Sequence, residues 1–260
     1  MPIIHNHKNL QSVRNLPFCY VCGKNISPSD KKDRDHIPPE SCFAKADRNT
    51  PLILQTHTAC NGENGQNLTD EKIGQLISLK HGRVPKKRDR KLQIVPTKHG
   101  HAVGNLDING AVWRWVRGFH AALYQTPLHD SAQRAIETPF PEARKVGRRV
   151  EVSPSRQQHS KFVEIIKLNR SLNQLDSIRC NNGKLKYECT WIKSDEGIQL
   201  CVFALDLYDW KALGKVPGLS ARGCAGWYRL ESGLAPDAAT QGTVSEISPP
   251  NNEPLDPFGR

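Results

Sequence analysis

Four side chains of the kind that bind zinc stand in two short pairs, Cys19-x2-Cys22 and His57-x2-Cys60. Within each pair one tight turn can point both side chains the same way, and two such turns meeting at a tetrahedral ion pin the chain between them. This constrains the first 65 residues more than any hydrophobic pattern does. Ion binding worth roughly 10 to 16 kcal/mol replaces the core that so small a module lacks. A structural Zn2+ held by Cys19, Cys22, His57 and Cys60 is therefore expected, with Cys42 a competing ligand if His57 points elsewhere.

Between the pairs runs KKDRDHIPPE, which reads as a short β-strand stopped by prolines, with His36 exposed beside Asp35 at its end. The apolar PLIL reads as a second strand, and the His57/Cys60 pair as the start of a helix. Asn61 directly follows a zinc ligand, so the metal would fix it against the Asp35-His36 strand. An imidazole suits the role of general base near neutral pH. A carboxylate and a side-chain carbonyl suit a hard cation bound through oxygen. Base plus cation is what hydrolysis of a phosphodiester asks for.

The charge points the same way. There are 37 Lys and Arg against 26 Asp and Glu, a net +11 with a pI near 9.4. Clustered cations gain free energy by releasing counterions from phosphates, so the expected partner is DNA, with RNA as the alternative. Lys86, Lys87, Arg88, Arg90 and Lys91 crowd between two prolines as candidate phosphate contacts, the plain alternative being a solvated linker.

The order C-x2-C, then D-H, then x2-C-N, carried by residues 19 to 61, resembles the HNH or His-Me finger nucleases, and in particular their zinc-containing branch. The resemblance covers about a fifth of the chain. It implies a ββα-metal module, His36 as general base, Asp35 and Asn61 as ligands of a catalytic Mg2+ or another divalent cation, and a structural zinc. It implies hydrolysis of DNA phosphodiesters, in restriction or antiviral defence. The third zinc position is His57 where most relatives carry cysteine. The family's middle asparagine, which orients the base, has no clear counterpart: Asn49 lies early, Leu52 occupies the neighbourhood, and Asn64 is a second candidate for the metal or orienting role.

The remaining chain predicts an α+β fold. Residues 68–79 show helical spacing of Ile73, Leu76, Ile77 and Leu79, and 110–124 carry a broad apolar stripe whose Trp113, Trp115, Phe119 and His120 read as core. A helix over 161–175 and a hairpin of KLKYECTWIK with IQLCVFALDLY follow. Cys180, Cys189, Cys201 and Cys224 read as reduced, buried cysteines. The expected partition is an HNH module over 1–81 behind a polar arm, a basic linker over 82–108, an α+β region over 109–234 for DNA or partner recognition, and a disordered tail over 235–260. No apolar run resembles a signal peptide or a membrane span, and the cysteine usage suits a reducing cytoplasm. Cutting both strands with one site calls for a homodimer or partner protein. The rival reading is a non-catalytic zinc-stabilised module that binds nucleic acid or protein.

Overall fold

In chain order the elements are β1 (Ile3–Ile4), α1 (His7–Ser12), β2 (Lys32–Ile37), β3 (Leu52–His57), α2 (Thr58–Gly62), β4 (Gln93–Thr97), β5 (Gly100–Gly104), α3 (Ile108–Tyr124), β6 (Arg134–Glu137), β7 (Glu142–Val146), β8 (Arg149–Val152), α4 (Gln158–Ser171), β9 (Asp176–Cys180), β10 (Leu185–Lys193), β11 (Gln199–Leu207) and β12 (Cys224–Leu230). They come from a computed structural model that describes residues 2–62, 69–70, 72–74, 76–77, 93–97, 100–104, 106–138, 142–146, 149–152, 158–193, 199–208 and 223–230. The basic run from Lys86 to Lys91, Asn64 and the tail from 235 lie outside those residues. Helices and sheets are mixed, and the class is α+β.

Helix α3 is the centre of the arrangement. Asp107 caps it by accepting from the Gly110 N–H at 2.8 Å, and it ends where Gln125 takes a left-handed φ of 54°. Every residue from Ala111 to Tyr124 is buried, so the expected apolar stripe is a helix enclosed all round. One side lies on the sheet β1-β9-β10-β11-β12-β6, antiparallel except for the β1/β9 edge. There Phe119 meets Tyr187 at 4.6 Å between ring centroids and Trp113 meets Tyr228 edge-on at 5.8 Å. The aromatics of α3 are core, as their spacing suggests.

Strand alternation sorts the sheet's two faces. Cys189 and Trp191 of β10 and Cys201, Phe203 and Leu205 of β11 join the core shared with α3, while Val202 packs with Ile166 and Leu175 beneath α4. The expected hairpin is present, β10 pairing with β11 from Leu185↔Leu207 to Lys193↔Gln199. The four later cysteines are buried and free. Helix α4 ends before the expected Leu175, because Asn173 takes a φ of +55° and turns the chain into β9. The N-terminal arm is more than a polar lead: Ile3 and Ile4 add a parallel edge strand to β9. Residues 69–70, 72–74 and 76–77 are helical, within the expected 68–79 segment, and bury Ile73, Leu76 and Ile77. A separate sheet has the order β4-β5-β7-β8.

The opposite side of α3 presses on the N-terminal region. Phe18, Tyr20, Ile37, Leu52 and Leu54 belong to the same continuous core as Val116, Phe119 and Tyr187. The approach is close at Gly118, where a Cβ would stand 2.4 Å from Ile37 Cδ1, and Ile37 is itself buried with little room to turn. Gly118→Val should therefore destabilise the fold by about 1–3 kcal/mol, measured as a lower urea midpoint at unchanged m-value.

His120 gives a pH dependence. It is buried between Tyr228 Oη (2.8 Å from Nδ1) and Thr126 Oγ1 (3.2 Å from Nε2), and desolvation lowers its pKa to about 3. An unfolded histidine titrates near 6.5, so between those values the unfolded chain holds a proton that the folded one does not. This site therefore costs stability as pH falls from 6.5 towards 3, by up to about 1.4 kcal/mol per pH unit. Between pH 7 and pH 5 the denaturation midpoint of the parent should therefore fall relative to that of His120→Gln.

Candidate metal centre and reaction site

The first ligand pair sits on a tight turn. Cys19 N–H donates to Lys24 O at 2.9 Å and Gly23 N–H to Cys19 O at 2.8 Å. The turn closes because Gly23 adopts a φ of +74°, which a residue with a Cβ disfavours. The second pair straddles the end of β3. His57 is its last residue, Thr58 N–H anchors the chain to Lys31 O at 3.0 Å, and α2 brings Cys60 round beneath His57.

The two turns meet. The ligand atoms of Cys19, Cys22, His57 and Cys60 all lie within 4.8 Å of one another, with Cys22 Sγ 3.4 Å and Cys60 Sγ 4.0 Å from His57 Nδ1. Tetrahedral donors on an ion with bonds of about 2.0–2.3 Å stand about 3.5–3.8 Å apart, so the cluster can hold a metal ion such as zinc. Burial and the crowding of Cys19 and Cys22 push Cys60 up to about 12, a proton that a bound cation would displace. Cys42 is buried elsewhere and is no part of the cluster.

The sequence reading missed Asp30. Its Oδ2 lies 3.4 Å from His57 Nε2, the ring nitrogen facing away from the thiols, and is itself fixed by the Ser27 N–H at 2.7 Å. A carboxylate behind a metal-binding imidazole sets its tautomer and raises its basicity. The signal available in the sequence was the turn-forming SPSD segment, but nothing in it names His57 as the partner.

Strands β2 and β3 pair antiparallel with Asp35 opposite Leu54 and His36 opposite Ile53, and α2 follows, giving a ββα order. Successive strand residues face opposite ways. Asp35 turns inward and is buried; His36 turns outward and is half-buried. His36 Nε2 lies 3.1 Å from Glu40 Oε1, and Glu40 also faces Arg48 at 3.8 Å. Glu40, the last residue of KKDRDHIPPE, is a second partner the sequence left unassigned. Leu52 is buried in the hairpin core, and Asn49 donates to Asn182 Oδ1 at 2.6 Å, so neither side chain is placed to orient His36.

Asp35 and Asn61 are brought together, but by an arginine. Arg114 of α3 donates from Nη2 to Asp35 Oδ2 and to Asn61 Oδ1, the latter at 3.1 Å. Its Nε donates to Tyr20 Oη at 3.2 Å, Tyr20 Oη donates to the same Asp35 oxygen, and Nη1 lies 3.7 Å from Asp70 Oδ2. The Asn61 amide is committed at its other end too, donating to Asp33 Oδ2 at 3.4 Å. Burial, opposed by Arg114 and assisted by Asp35, raises Asp70 to about 6.

This donor set does not fit the divalent cation that the resemblance implies. A guanidinium bonded to both oxygens cannot lose its proton, and unit charges of like sign 4 Å apart near a protein surface repel by about 4 kcal/mol, twice that for a dication.

No family model matches this chain, and no curated protein or solved structure matches it.

Because Asp30 touches the cluster only through His57, Asp30→Ala should leave the fold intact and weaken zinc retention about 10- to 100-fold in competition with a chelator. Unchanged retention would deny Asp30 that role.

Proposed function

We propose that this chain is a nucleic-acid phosphodiesterase built on a zinc-pinned ββα module of the HNH type, with His36 as its general base. The observation that supports this reading is the ββα order of β2, β3 and α2, closed by the Cys19, Cys22, His57 and Cys60 cluster, with His36 facing outward near the end of β2. Three thiolates and one imidazole suit zinc among the common ions.

The chemistry runs on the outer face of β2. A carboxylate can only accept, so Glu40 holds the Nε2 hydrogen of His36 and leaves Nδ1 with the lone pair. Nδ1 then takes a proton from a water that attacks phosphorus in line, forming one P–O bond as the opposite one breaks, and the leaving oxygen keeps that bond's electron pair and takes a proton from solvent. Lys32 and Arg34 share that face by alternation and are exposed, so they can meet the phosphate's charge. DNA is the preferred substrate on net charge, with RNA the alternative.

A second reading has its own support. Asp35 and Asn61 are bound up with Arg114, as they would be in a non-catalytic module that only binds nucleic acid through salt-sensitive phosphate contacts.

His36→Ala separates the two. It should lower nicking of supercoiled plasmid by about 10²- to 10⁴-fold while zinc content and thermal midpoint stay at the parent's values. Cleavage equal to the parent's would remove His36 as the base, whereas no cleavage by either protein alongside salt-dependent binding would favour the second reading.

A further inference from the structure

We propose that Arg114 is the resident cation of this site: helix α3 supplies a fixed positive charge to Asp35 and Asn61 where a nuclease of this type would hold a divalent metal, and the protein works without a metal at those two residues. The proposal rests on reading β2, β3 and α2 as a nuclease-type module, since only that reading expects a metal there. The guanidinium is joined by groups from four separate stretches of chain: Tyr20 in the first ligand turn, Asp35 on β2, Asn61 on α2, and Asp70. Its Nη2 carries two hydrogens, one for the Asp35 carboxylate and one for the Asn61 amide oxygen. Mg2+ asks instead for six oxygens at about 2.1 Å in an octahedron.

The arginine is a fixture and not a swinging gate. Its side chain is 10% exposed, and its neighbours Trp113 and Trp115 are buried. One turn further along the helix, Arg117 donates to the Val21 carbonyl between the two cysteines of the first pair, to the Leu128 carbonyl at 2.9 Å and to Asp130 Oδ1 at 3.1 Å. Withdrawing the Arg114 guanidinium would break its contacts with Tyr20, Asp35, Asn61 and Asp70 together and leave the buried Asp35 carboxylate without its cation. A dication arriving at Asp35 would meet a charge that does not titrate and that could leave only by breaking those contacts. The reaction would then draw its cations from Lys32 and Arg34, on the His36 face.

Mn2+ binding to the full-length, zinc-loaded protein tests this directly, read by electron paramagnetic resonance of the free ion. The parent, Asp35→Asn and Asn61→Ala should give Mn2+ half-saturation concentrations within about twofold of one another, because neither residue is a ligand. Weakening by tenfold or more in either variant, with folding intact by circular dichroism, would overturn the proposal. Asp35→Asn is nearly isosteric and keeps an oxygen for Arg114; were it to unfold, the Asn61→Ala arm would decide alone. The Mn2+ comparison needs no cleavage, so a failure of His36-dependent nicking sinks the nuclease reading without deciding the fate of Arg114. Conversely, cleavage by a metal-depleted but zinc-loaded parent would support both.

Discussion

Two arginines on a helix with no exposed side set the terms for the N-terminal half of this protein. A guanidinium keeps its charge at any accessible pH, so enclosing Arg114 and Arg117 in α3 obliges the surroundings to supply carboxylates and carbonyls. Asp35, Asn61 and Tyr20 answer the first; Val21, Leu128 and Asp130 answer the second. Because Tyr20, Val21, Asp35 and Asn61 lie on the first ligand turn, β2 and α2, satisfying the helix also locates the module. Removing one partner would leave a buried charge uncompensated, so each bond is held by the cost of losing it rather than by its own strength.

The module then has two supports of different kinds. At one end four donors converge on a point where a metal can bind, with Asp30 steadying the imidazole. On its inner face the arginine network ties β2 to α2 and α3. The outer face is left with His36, Glu40, Arg34 and Lys32. Strand geometry makes this division unavoidable: adjacent residues point to opposite faces, so Asp35 and His36 cannot both turn to the same side of β2.

Much of the architecture could be read from the chain. The helix around Trp113, the β10/β11 hairpin, the strand ending at His36 and the strand leading into His57 follow from periodicity and turn chemistry. The metal cluster followed from spacing alone, since a pair three residues apart needs only a local turn. Asp30, Glu40 and Arg114 did not, for three reasons. Asp30 and His57 are brought together only by the β2/β3 pairing. Glu40 meets His36 across a proline-containing turn. Arg114 is more than fifty residues from Asn61 and sits in a stripe whose neighbours read simply as core. The length of α4 also escaped, because a single left-handed asparagine decided where it stops.

By itself, then, the sequence determined which donors could share a metal, which segments are strand or helix, and that the chain carries an excess of positive charge. Each of these is local or additive, and each survives without knowing what packs on what. Only the tertiary structure decided that Asp35 faces a buried guanidinium while His36 faces outward. That outcome depends on the docking of α3 against β2 at Gly118, a contact between distant segments, and on the requirement that a buried charge find its partners wherever the fold can bring them.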